Sequence, residues 1–331
     1  MRKIVILLVG MVTLSFALTD AQIRDNCYKR GDYKCAIEYG KKVLNSDVKK
    51  YGKGSSKAGP DYNQLGLAYA ERGEYHKALD NFHKALQIVK REFGKNNVIV
   101  SVLYTNIASA YDSLAKYHKA LKYYEKALKI QKKVLGENNS DSTVVYNNIG
   151  GIYNKRGKYK KALIYYKKAL KIQKKVLGEK HPYTATTYNN IGDIYSKIGK
   201  YNKALEYFKK ALKIDKLILG KNHPSIATIY NNIGEIYSSW GKYNKALEYH
   251  KKALNMRKLA LDKNHPDIAQ SYNNIAMIYY HQGKYKKSLK YVTKAYNIYK
   301  KILGENNSLT QFIKSNLNDI RQKVEENNSS K

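Results

Sequence analysis

An all-α array of stacked helical hairpins is the fold class the sequence predicts, and three observations predict it. Tyrosine recurs at Tyr33, Tyr75, Tyr117, Tyr159, Tyr201, Tyr243 and Tyr285, always 42 residues apart. Alanine keeps the same interval at Ala36, Ala78, Ala120, Ala162, Ala204 and Ala246, with Ser288 closing the series. Glycine keeps it at Gly31, Gly73, Gly157, Gly199, Gly241 and Gly283, with Ala115 standing in once. Seven copies in register, without insertion, describe one repeated unit rather than several independent domains.

The chain begins with Arg2 and Lys3, an uncharged apolar run from Ile4 to Leu18, and small residues at Ser15, Ala17 and Ala21. This is the layout of a secretory signal peptide, in a run too short to span a bilayer comfortably. Cleavage after Ala17 or Ala21 meets the small-residue requirement; Ala21 is preferred, giving a leader of residues 1–21 and an exported protein, periplasmic or secreted. Cys27 and Cys35 are the only cysteines. The register places one late in a helix and the other early in the next, where they could meet across the turn as a disulfide.

Within a unit, Tyr188, Ile191, Gly192 and Tyr195 make one helical stripe, and Ala204, Leu205, Phe208, Ala211 and Leu212 make a second. Gly199 ends the first helix, because glycine enters left-handed backbone space cheaply. Gly150, Gly192 and Gly234 remove a side chain where the partner helix comes close. His181-Pro182, His223-Pro224 and His265-Pro266 mark helix starts, proline suiting a first turn, and the histidines read as caps rather than metal ligands. In the first unit, Lys49 to Pro60 replaces the end of the second helix with a Gly/Ser/Lys loop. The repeat array is expected over residues 22–324, closed by a capping helix at 308–324 and followed by a disordered tail at 325–331.

The stretch "IGDIYSKIGKYNKALEYFKKAL" resembles the tetratricopeptide repeat, whose apolar-Gly-x-x-Tyr, turn glycine, alanine and aromatic order it follows. The 42-residue period, joined by "LGEKHPYTATTYNNIG", is similar to the lengthened repeat of kinesin light chains and covers roughly Ile23 to Leu303. The resemblance implies a right-handed superhelical solenoid, with leading helices lining a concave groove that takes a protein partner.

No phosphate-cradling glycine loop, nucleophile elbow or Cys/His metal spacing occurs, so no enzymatic activity, cofactor or metal is expected. The net charge of +36 invites an anionic partner, and A/T-rich codons would yield the same palette of Lys, Asn, Ile and Tyr. The lysines gather on the second helices: Lys158, Lys160, Lys161, Lys167, Lys168, Lys171, Lys174 and Lys175 follow one another without an acid. A convex face for nucleic acid, anionic membrane or acidic glycan is therefore the alternative to groove binding. His250 takes the slot of Phe82, Tyr124, Tyr166 and Phe208 and is read as a packing substitute, otherwise as a buried pH-sensitive group.

"YNNI" recurs at Tyr146, Tyr188, Tyr230 and Tyr272, although asparagine weakens a helix. A helical wheel sets the first asparagine opposite the buried stripe and the second on its flank. Candidate groove residues are therefore Asn106, Asn147, Asn148, Asn154, Asn189, Asn190, Asp193, Asn231, Asn232, Glu235, Asn273, Asn274 and Tyr280, with Asn63 extending the row. A ladder of amides offers donors and acceptors to an extended peptide backbone. The competing use of each pair is to tie neighbouring helices together.

Overall fold

The structure, a computed structural model, describes residues 18–221 and 223–329. The leader expected at residues 1–21 lies mostly outside these. The described residues form fifteen α-helices in two compact units, the first ending at Glu137 and the second starting at Asn138.

The first unit holds α1 (Asp20–Lys29), α2 (Tyr33–Tyr51), α3 (Ala58–Glu71), α4 (Tyr75–Phe93), α5 (Val98–Ser113) and α6 (Tyr117–Leu135). The second holds α7 (Ser140–Lys155), α8 (Tyr159–Val176), α9 (Pro182–Lys197), α10 (Tyr201–Ile218), α11 (Pro224–Ser239), α12 (Tyr243–Ala260), α13 (Pro266–His281), α14 (Tyr285–Leu303) and α15 (Ser308–Ser329). Odd-numbered helices lead and even-numbered helices trail, so that α1/α2 to α13/α14 are hairpins one to seven. Every trailing helix starts at one of the periodic tyrosines.

Each hairpin is closed by a residue in left-handed backbone space, such as Gly199 at φ +73°, and Ala115 accepts this conformation at φ +55°. Close approach of the two helices then depends on the leading-helix glycine. A Cβ at Gly192 would stand 2.8 Å from the Phe208 ring, at Gly150 2.6 Å from Tyr166, and at Gly66 2.5 Å from Phe82. Phe208 and Tyr166 are consequently sealed between their helices, and full burial of such a ring is worth about 2–3 kcal/mol. His181, His223 and His265 each cap the following helix, their Nδ1 accepting from the N–H of Tyr183, Ser225 and Asp267 at 3.1, 3.2 and 3.2 Å.

Three boundaries differ from the sequence expectation. The loop predicted over Lys49–Pro60 is shorter, since α2 runs to Tyr51 and α3 begins at Ala58. Buried Ala58 and Gly59 give that early start its packing, Gly59 lying against Ile88 and Val89. The tail predicted as disordered from residue 325 is helical to Ser329, and Lys323 pairs with Glu326 at 2.8 Å across one turn of α15. Ile313, Leu317 and Ile320 form the apolar stripe by which α15 covers hairpin seven.

Candidate ligand-binding surface

Asparagine pairs lie on the leading helices in a half-buried band, and their side chains reach the neighbouring leading helix. In the second unit, Asn232 Nδ2 donates to Asn189 Oδ1 at 3.2 Å, Asn274 to Asn231 at 2.8 Å, and Asn316 to Asn273 at 3.5 Å. In the first unit, Asn106 donates to Asn63 at 3.0 Å. These four bonds follow one rule: the second amide of one repeat donates to the first amide of the repeat before, 43 residues back. Asn147 departs from it, donating to Thr187 Oγ1 at 2.9 Å and to the Thr143 carbonyl at 3.1 Å. Asn148 and Asn190 share the half-buried band.

The chain of amides uses the two members unequally. First-slot oxygens are occupied as acceptors. Among the described residues, the Oδ1 atoms of Asn106, Asn232 and Asn274 have no hydrogen-bond partner, although their Nδ2 groups are held. An amide oriented through its nitrogen presents its carbonyl in a fixed direction, and an acceptor of this kind suits a peptide N–H.

Asn231 has a different place from the one expected. Only 5% exposed, it accepts from Asn274, lies 3.2 Å from His250 Nδ1 and donates to Glu235 Oε1 at 2.7 Å. A residue so enclosed is inaccessible to a ligand, and its wheel position failed to show this because the trailing helix of its own hairpin and the next leading helix cover that side. His250, 1% exposed, packs over Gly234 as Phe208 packs over Gly192. Burial, reinforced by the Arg257 guanidinium, pushes its pKa down to about 4 and keeps it neutral. Glu235 is open to solvent on one side yet enclosed on the others, and that desolvation raises its carboxyl above the ordinary range.

Asp193, Asn154 and Lys197 form a second polar cluster, in which Asn154 donates to Asp193 at 2.9 Å and Lys197 bridges both, at 2.9 Å to Asp193 and 3.0 Å to Asn154. Tyr280 lies apart from these clusters, against His281 and Tyr285, with ring centroids 5.9 and 5.4 Å away. Cys27 and Cys35 are joined as a disulfide across the α1–α2 turn, their Cα atoms 5.8 Å apart.

Sequence reasoning overlooked one column of trailing-helix residues. Gln131, Gln173, Asp215 and Arg257 share a 42-residue register with Val89 and Tyr299, and all six are buried. Arg257 ties α12 to the next leading helix through Ser271 Oγ at 2.8 Å and the Asp267 carbonyl at 2.9 Å. Asp215 is pushed up by burial, opposed by a hydrogen bond with Ser225 and by His223. The available signal was a polar residue recurring in an otherwise apolar slot.

Helical hairpins with glycine-aromatic locks and amide-bonded leading helices define an all-α repeat solenoid. The tetratricopeptide-repeat family model matches residues 61–133, 141–217, 206–259, 225–301 and 267–310, and the chain belongs to this family of protein-interaction repeats. Among solved structures it is similar to aspartyl phosphate phosphatase F from Bacillus subtilis, with a TM-score of 0.67 and 17% identity over 86% of this chain and 70% of that one. It is similar to the apo form of RapI, with a TM-score of 0.65 and 21% identity over 84% and 96% of the two chains. BtubC (BKLC) from P. vanneervenii is a further neighbour, with a TM-score of 0.56 and 22% identity over 74% and 93%. At these identities the likeness is one of fold. No curated protein matches the chain.

Proposed function

We propose that this protein is a non-catalytic scaffold that holds an extended peptide segment along its leading helices. The observation that carries the reading is the set of half-buried asparagine carbonyls oriented by their own donor bonds to the preceding repeat. Asn232 and Asn274 stand on successive leading helices, roughly 10 Å apart, so an extended chain rising about 3.3 Å per residue would meet their carbonyls three residues apart. Such contacts read backbone N–H groups and leave side-chain choice to Asp193, Lys197, Glu235 and Tyr280.

Export from the cytoplasm is part of the same proposal. It is supported by the leader-like run at Ile4–Leu18 and by the Cys27–Cys35 disulfide, a bond that persists in oxidising compartments. No helix among the described residues is long and apolar enough to cross a membrane.

Peptides selected from a random extended library against the wild-type protein test the groove. Alanine at Asn232 and Asn274 together should abolish their binding with helix content retained. Alanine at Asn147, Asn189 and Asn273 should chiefly lower the melting temperature. Selected peptides that bind the first variant as well as wild type would exclude the carbonyl row as their site.

A further inference from the structure

We infer that the lysine-rich outer face of α8 is a contact surface for an anionic phospholipid leaflet. In four repeats an acid pairs with a lysine one turn on: Glu38 with Lys42 at 3.3 Å, Asp80 with Lys84 at 2.7 Å, Glu206 with Lys210 at 2.6 Å and Glu248 with Lys252 at 2.5 Å. The lysine of this pair is present in all seven repeats, as Lys42, Lys84, Lys126, Lys168, Lys210, Lys252 and Lys294. The acid is not. Its slot in α8 holds Ile164, which is 54% exposed and leaves Lys168 without its carboxylate.

The consequence shows on α8, an acid-free helix like α14. Lys160, Lys161, Lys167, Lys168, Lys171, Lys174 and Lys175 are all exposed, α8 contains no acid, and Lys174 alone reaches a carboxylate, that of Glu179 at 2.5 Å. At 100° per residue these lysines fall within an arc of about 140°, with Ile164 inside it and the buried Ala162, Tyr166 and Ala169 opposite. In α6 and α14 the acid is replaced by a further lysine, Lys122 and Lys290, whereas in α8 an apolar residue takes its place. Here the slot has gained an apolar side chain, and lysines surrounding an exposed apolar residue match a leaflet with anionic headgroups above an apolar layer.

Nucleic acid fits less well. The rings nearest the lysines are already covered, Tyr153 stacking on Tyr165 at 5.4 Å, with Lys161 over Tyr153 and Lys168 over Tyr165 at 5.6 and 5.5 Å. These two rings are therefore not free to receive a base. The proposal is independent of the peptide groove, since it uses the opposite side of the hairpin.

Flotation of the full chain with phosphatidylcholine vesicles, with and without roughly a third phosphatidylglycerol, tests it. Wild type should bind only the anionic vesicles. Ile164→Glu restores the residue type found at Glu206 and Glu248, so it should fold, shown by an unchanged circular dichroism spectrum, while weakening vesicle binding about tenfold or more. Ile164→Gln, which removes the apolar contact without adding charge, should weaken it severalfold, and Lys251→Gln on α12 should change it little. Absence of binding to anionic vesicles, or binding unaffected by Ile164→Glu, overturns the inference. Retention on duplex DNA by a protein that ignores vesicles would assign the lysines to nucleic acid and overturn it equally.

Discussion

Hairpins five and six share a backbone and most of a sequence, and differ in what fills the space between their helices. In hairpin five, Gly192 faces the phenyl ring of Phe208, and Asn189 accepts a single amide from the next repeat. In hairpin six, Gly234 faces the imidazole of His250, and Asn231 is drawn inward to meet it, joined by Glu235 and Asn274. A polar ring in a slot shaped for an apolar one recruits the nearest amide as its partner, since a buried polar atom left without one costs about 1–3 kcal/mol. The same asparagine is thus a ladder rung in one repeat and the hub of a buried network in the next.

Overfilling the glycine slot should have the largest effect. Gly192→Val places methyl groups within the Phe208 ring, and the expected loss is about 3 kcal/mol by chemical denaturation. Shortening the ring in the same chain, by Phe208→Ala, should not worsen the double variant by the sum of the two single losses, because both act on one contact.

Acid should separate the hairpins next. His250 is neutral in the fold and protonates readily when unfolded, so its contribution is complete above pH 6.5 and is lost as pH falls toward about 4. The full loss amounts to about 3 kcal/mol. Glu235, raised by its enclosure, works in the opposite sense in the same acid range, so wild type must be compared with His250→Phe. The variant, which copies hairpin five, should show the shallower decline in melting temperature between pH 7 and 4; equal slopes would exclude His250 as the source.

The smallest difference should come from the amides themselves. Asn231→Ala leaves His250, Asn274 and Glu235 without a partner and should cost about 2 kcal/mol, whereas Asn189→Ala should cost about 1 kcal/mol or less. Equal losses measured by denaturant titration would mean that the network around His250 adds nothing to the ladder.

The repeat, its hairpin form, its turn glycines and its helix-capping histidines were legible because each rests on a local rule: periodicity, left-handed backbone space, or a side chain within two residues of the group it bonds. The close approach at Gly192 was legible for the same reason, since a missing Cβ in a stripe of large residues has few other uses. Asn231 was misplaced because a wheel describes one helix, and the cover over that side comes from residues 19 and 43 positions away. The buried column of Gln173, Asp215 and Arg257 was missed because its partners belong to the next hairpin, as Arg257 shows with Ser271. The helical end of α15 escaped notice because its composition is polar, and its apolar stripe ends at Ile320 while the backbone continues to Ser329.

The disulfide between Cys27 and Cys35 bears on how the array comes apart. At ten residues, α1 is shorter than the roughly 12–15 that hold a helix alone in water, and beyond its hairpin partner it has the Arg24–Asp61 ion pair, at 3.2 Å, to fasten it to α3. A stack of repeats unravels from its ends like a zip, and this covalent link, with a sequence separation of eight, acts as a stop on the first tooth. Under a reductant the stop is released, and peeling of the first hairpin becomes a matter of thiol chemistry as well as of packing.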